Sequence, residues 1–99
     1  MKVYVVGIGM GNADTLTVGA KRAIESSDLL IGATRLLESF DYVECEKLDL
    51  IKPSEIIEAL ANATCDQASI LMSGDVGFYS GATALYDKLG EYDVEVIPG

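Results

Sequence analysis

Apolar residues come in short runs separated by polar and glycine-rich breaks. Val3 to Val6 is a β-branched run, which predicts a buried strand. Leu29-Leu30-Ile31, closed by Gly32, predicts a second, and Ala68 to Met72 another. Val94 to Ile97 predicts a last strand before Pro98-Gly99. Tyr42 to Leu48 alternates weakly and reads as an edge strand. Between these runs the apolar spacing changes to the helical period. Leu16, Ala20, Ala23 and Ile24 mark a helix ending near Ser27, with Asp14, Thr15 and Thr17 as candidate caps. Ala33 to Phe40 predicts a short helix. Pro53 suits the first turn of a helix over 54–63 with Ile56, Ile57 and Leu60 on its apolar side. Phe78 to Leu89 predicts another helix, stopped by Gly90.

Strands alternating with helices specify an α/β domain with a mostly parallel five-stranded sheet flanked by helices. Right-handed crossovers would bring the loops after the first and fourth strands to one edge, outside the carboxyl ends of the strands, where ligands bind in open α/β sheets. The last strand has no helix after it to cover its face. A parallel sheet needs both faces covered, so the 99 residues are expected to be the first domain of a longer protein.

Composition narrows the chemistry. The net charge is −9 with only seven basic residues, unclustered, which argues against nucleic acid. The chain has no histidine, so it offers neither histidine catalysis nor histidine-ligated zinc, and no metal site is expected. No apolar run approaches the roughly 20 residues of a membrane span. The chain enters a strand pattern at Lys2 without a signal-peptide pattern, so a cytoplasmic location is expected. Cys45 and Cys65 lack metal or CxxC spacing and read as two buried thiols.

Two glycine-rich bends carry the candidate chemistry. Gly7, Gly9 and Gly11 follow the first strand. The dinucleotide fingerprint would need glycine at position 12, where Asn12 stands, and an acid after the second strand, where Ile31-Gly32-Ala33-Thr34 has none. The second bend is Ser73-Gly74-Asp75-Val76-Gly77 between a strand and a helix. Its backbone could line a ligand, with free N–H groups at the helix start; Asp75 could instead cap that helix. Phe78 or Tyr79 could pack on a flat ligand, although one of them should be core. Arg35 stands just past the second strand, on the ligand edge. It could hold a carboxylate in a forked geometry, or simply pair with Glu38 three residues on. Asp41, Glu44, Glu46 and Asp49 read as a solvated, aggregation-resistant edge.

Together these motifs resemble the tetrapyrrole (corrin/porphyrin) methylase family. Gly7-Ile8-Gly9-Met10-Gly11-Asn12-Ala13-Asp14-Thr15-Leu16-Thr17 is similar to its G-x-G-P-G-D-x-x-x-L-T loop. Gly74-Asp75-Val76-Gly77-Phe78-Tyr79-Ser80 is similar to its G-D-P-x-x-Y/F-G motif, and Val96-Ile97-Pro98-Gly99 to its V-x-P-G motif. Met10 and Val76 depart from the pattern, each replacing a proline. Gly32-Ala33-Thr34-Arg35-Leu36-Leu37 and Ser73-Gly74-Asp75-x-Gly77-Phe78-Tyr79 resemble the branch that methylates C5 of corrin precursors: the cobalt-precorrin-7 C5-methyltransferases and the methylase part of the precorrin-6Y C5,15-methyltransferases.

The resemblance implies the first of two domains, spanning residues 1–99, with S-adenosylmethionine in the cleft between them. It implies cofactor contacts from Met10, Ser73, Gly74, Asp75 and Phe78, no catalytic triad, and Arg35 on a carboxylated tetrapyrrole. It implies a homodimer at full length, acting in cobalamin biosynthesis, and little activity from these 99 residues alone. The alternatives are another branch of the family, a nucleotide-binding oxidoreductase domain built on the same glycine loops, or a partner domain with a degenerate cleft.

Overall fold

The computed structural model describes residues 2–8, 18–73, 89–90 and 92–97. Five strands form one sheet: β1 (Lys2–Ile8), β2 (Leu29–Gly32), β3 (Glu46–Asp49), β4 (Gln67–Ser73) and β5 (Asp93–Ile97). Their order is β3-β2-β4-β1-β5 and every pairing is parallel. The described helices are α1 (Val18–Glu25), α2 (Thr34–Glu38) and α3 (Pro53–Asn62).

The strand order follows burial. In β1, Val3, Val5, Val6 and Ile8 are all fully buried, and β2 is buried along its whole length. Strands that are apolar on both faces can only be interior. The edges are charged instead. β3 carries Glu46, Lys47 and Asp49, and β5 carries Asp93 and Glu95, whose carboxylates both reach Lys2. The acidic run from Asp41 to Asp49 is exposed at each of its four acids, as expected of a solvated edge.

The side-chain period of two splits the core into two layers. On one face Val6, Ile8, Leu30 and Leu71 meet Ala20 and Ile24 of α1 and Leu36 and Leu37 of α2. On the other, Val3, Val5, Leu29, Ile31, Ala68 and Ile70 meet Ile56 and Leu60 of α3 and Leu89. The connections that run toward the β3 edge, β1 to β2 and β2 to β3, lie on the first face. Those that run toward β5 lie on the second: β3 to β4 through α3, and β4 to β5 through the segment containing Leu89. A single crossover hand requires that segregation.

Three expectations need adjustment. The third strand begins at Glu46, not Tyr42, because Phe40 and Val43 turn inward and are buried in the α1–α2 layer. Successive turns at Phe40, Val43 and Cys45 take up that stretch. For the same reason α2 stops at Glu38, two residues short of Phe40. Cys45 and Cys65 are free but half-buried rather than buried, since they flank the sheet and do not enter its central strands. The first helix's candidate caps and the helix expected over 78–89, apart from Leu89, lie outside the described residues.

Gly32 closes β2 for a steric reason. A Cβ there would stand 3.1 Å from both the Cβ and the carbonyl oxygen of Leu71 in β4.

Candidate functional site

Strand register brings together the strand ends that precede the two glycine bends. Ile8, the last residue of β1, pairs directly with Ser73, the last residue of β4. The carboxyl ends of β1 and β4 therefore stand side by side, and each is followed in sequence by a glycine bend. The connection from β1 leads to α1 on one face, whereas Leu89, between β4 and β5, packs on the other. Adjacent strands whose connections diverge leave a crevice between them, and this is where an open α/β sheet takes its ligand. Val6 pairs with Ile97, so β5 ends beside the same crevice.

Of the residues singled out for cofactor contact, the structure places Ser73, as the final residue of β4. Met10, Gly74, Asp75 and Phe78 lie outside the described residues, as does Tyr79. Arg35 stands in α2, one strand over from β4, at the same edge. Its side chain is exposed. The local pair with Glu38 does not form: among the described residues the ion pairs are those of Lys2 with Asp93 and Glu95. A helix of only five residues gives an exposed i,i+3 pair little to hold it in place. Arg35 thus keeps its five donors available to a ligand.

What holds α2 in position has no local signature in the sequence. The Thr34 hydroxyl, one residue before Arg35, donates to the Asp49 carboxylate at the end of β3. The Leu50 amide donates to the Gly32 carbonyl at 3.2 Å. Both bonds tie the carboxyl ends of β2 and β3 together beneath Arg35. The only hint was Asp49 itself, one more acid in an exposed run.

The opposite end of the sheet also has a recess, of about 250 Å³, between Asp28, Glu46, Asn62, Thr64 and Cys65. It sits at the amino ends of β2 and β3, where no connections diverge. No group of three or more metal-ligating side chains occurs among the described residues. Among them, too, no helix is long and apolar enough to cross a membrane.

Comparison with known proteins agrees with this geometry. The family model for Tetrapyrrole (Corrin/Porphyrin) Methylases matches residues 2–99. The chain is 36% identical to the probable cobalt-precorrin-7 C(5)-methyltransferase of Methanocaldococcus jannaschii, over 98% of its own length and 48% of that protein's. It is 32% identical to the cobalt-precorrin-4 C(11)-methyltransferase of the same organism, over 99% of its own length and 42% of that protein's. Among solved structures, the uroporphyrin-III C-methyltransferase from Thermus thermophilus complexed with S-adenosylhomocysteine superimposes with a TM-score of 0.82. That match is at 21% identity and covers all of this chain and 45% of that one, a likeness of fold. The chain spans about half the length of the relatives it matches.

Proposed function

The chain belongs to the tetrapyrrole methylase family, and from that premise we propose that it is the cofactor-side domain of an S-adenosylmethionine-dependent C-methyltransferase acting on a corrin precursor. The observation that carries this reading is the pairing of Ile8 with Ser73 at the carboxyl edge. Each of these adjoining strand ends is followed in sequence by a family-like glycine bend. In the whole enzyme, residues 1–99 form the first of two domains, and the cofactor lies where they meet. The matched span of the relatives, just under half, supports that division.

When bound, S-adenosylmethionine supplies a methyl group on a sulfonium centre, and a ring carbon of the substrate takes it up. The chain's own work is then binding and orientation. Backbone from Ser73, Gly74 and Asp75, with Met10 from the first bend and Phe78, holds the cofactor. No catalytic triad or metal is expected of this domain, which has no histidine. Holding two reactants in line contributes about 7 kcal/mol or more in favourable cases. Arg35 holds a substrate carboxylate; a chain of net charge −9 attracts such an anion only through local cations.

Within the family, the C5 step on cobalt-precorrin-7 or precorrin-6Y is the reading we adopt. It rests on the Gly32-Ala33-Thr34-Arg35-Leu36-Leu37 stretch and on the C(5)-methyltransferase relative. Relatives acting at C11 and C17 make another ring position the alternative. The full-length protein is proposed to be a cytoplasmic homodimer.

The test is calorimetric titration of S-adenosylhomocysteine into the full-length gene product, with residues 1–99 alongside. Binding by the full-length protein, and much weaker binding by residues 1–99, is expected. No binding by either would remove the methylase reading in favour of a partner domain. Binding of a nicotinamide dinucleotide in its place would favour the oxidoreductase.

A further inference from the structure

The diverging connections open two crevices at the carboxyl edge, and the cofactor accounts for one. The connections from β2 and β4 also leave toward opposite faces, so a second crevice separates those two strands. It holds a cavity of about 80 Å³. Leu36, Ile56 and Ile70 form its buried floor, and Ala33, Ile51 and Met72 its rim. Ile51 is 69% exposed at that rim.

The lining says what fits. Every residue around the cavity is Ala, Leu, Ile or Met. The polar part of the lining is backbone alone. Apolar cavities stay dry and admit apolar guests: one of about 150 Å³ takes benzene. On that scale this crevice has room for about three carbon atoms. Arg35 lies between Ala33 and Leu36 in the chain, exposed and without an ion pair. An apolar socket and an exposed arginine, next in sequence to the Leu36 of its floor, thus share the carboxyl edge.

We propose that this second crevice is a substrate subsite, seating a short alkyl substituent of a ligand whose neighbouring carboxylate is held by Arg35. The proposal rests on the methylase reading and deepens it. For a carboxylated macrocycle it means that the domain recognises a rim bearing an alkyl group beside a carboxylate. It discriminates between precursors by whether that alkyl group is present.

The test uses the full-length protein and straight-chain carboxylates from acetate to hexanoate, followed by methyl NMR. The methyl signals of Leu36, Ile56 and Ile70 are expected to shift. Affinity is expected to tighten about fourfold per added methylene as far as butyrate. It should then level off, because the cavity is full. Butyrate should bind better than butanol, and Arg35→Gln should abolish that preference. Ala33→Leu, which fills the rim, should flatten the series. A flat series in the unaltered chain would overturn the proposal, as would equal binding of butyrate and butanol or shifts confined to other methyls. The result is separable from the methylase reading. If S-adenosylhomocysteine binds the full-length protein and the carboxylate series is flat, the subsite alone fails. A graded series without S-adenosylhomocysteine binding sinks the methylase assignment and leaves an alkyl-carboxylate site.

Discussion

The two ends of the sheet are built on opposite principles. Toward the amino end, polar groups are buried and satisfied. The Ala23 carbonyl at the end of α1 accepts from the Ser27 hydroxyl at 2.7 Å and from the Gln67 amide at 3.1 Å. The Ser27 and Ser69 hydroxyls, both buried, stand 2.6 Å apart. Backbone bonds from Lys2 to Asp66 and from Asp28 to Gln67, each 2.9 Å, close the same end. Toward the carboxyl end the pattern reverses. Arg35 and Ile51 are exposed, an apolar crevice opens, and neighbouring connections part. A buried polar network with every member satisfied fixes one arrangement of α1 on β4. An edge whose groups are left without partners is suited to taking a ligand. Stability and function are therefore divided between the two ends, and substitutions should separate them.

The largest effect is expected at the α1 contact. Ile24 is fully buried beside the Ser27–Ser69 network, and Ile24→Ala should cost about 2–5 kcal/mol. In urea this would move the unfolding midpoint sharply down; a loss below about 1 kcal/mol would mean that α1 is not a structural anchor. Next comes the network itself. Ser69→Ala should cost about 1–2 kcal/mol, or roughly 4–16 °C in Tm for a domain of this size. Because Ser27 and Ser69 share one bond, the double change to alanine should cost less than the two single changes added. Strict additivity in a double-mutant cycle would break the network into unrelated contacts.

Arg35→Gln should behave in the opposite way. It should change stability by no more than about 0.5 kcal/mol, as surface substitutions usually do. The same change should weaken binding of a carboxylated ligand. A destabilisation comparable to that of Ser69→Ala would show Arg35 to be structural, erasing the contrast between the ends.

The smallest effect is in alkaline pH dependence. Burial, with Asp28 adding to it and Lys47 opposing it, pushes the Cys45 thiol above its ordinary 9.0. Desolvation, the hydrogen bond to Glu25 and that carboxylate's charge push the Tyr42 phenol above 10.0. Both groups hold their protons more tightly folded than unfolded. Their contribution is therefore complete at neutral pH and is lost as pH rises past 9 and through the raised folded values. Denaturation between pH 7 and 11 should show a shallow decline at the top of that range, flattened in Tyr42→Phe. A rise in stability there would contradict the assignment.

The contrast between the ends also explains what the sequence could reveal. Val3 to Val6 and Ala68 to Met72 were legible as strands because interior parallel strands are apolar on both faces. Their bends were legible because glycine marks them. The Ser27–Ser69 contact was not, since it joins residues 42 apart with no local signature. The weak alternation from Tyr42 to Leu48 misled for a related reason: Val43 is buried in a turn, not a strand. For Arg35, spacing suggested Glu38 as a partner, while the length of α2 is decided by the packing of Phe40. The second crevice depends on β2 lying next to β4, a neighbourhood set by tertiary topology. The cofactor contacts expected of Met10, Gly74, Asp75 and Phe78 stand on motif resemblance, with Ser73 the one placed at the edge.

The most direct test of the account is where S-adenosylhomocysteine touches this sheet. Amide NMR of the full-length protein, titrated with the ligand, would locate it. The account predicts shifts centred on Ile8 and Ser73, with the amides of Asp28 and of Asn62 to Cys65 unmoved. Shifts centred on that amino-end recess, or none at either end at saturating ligand, would contradict it.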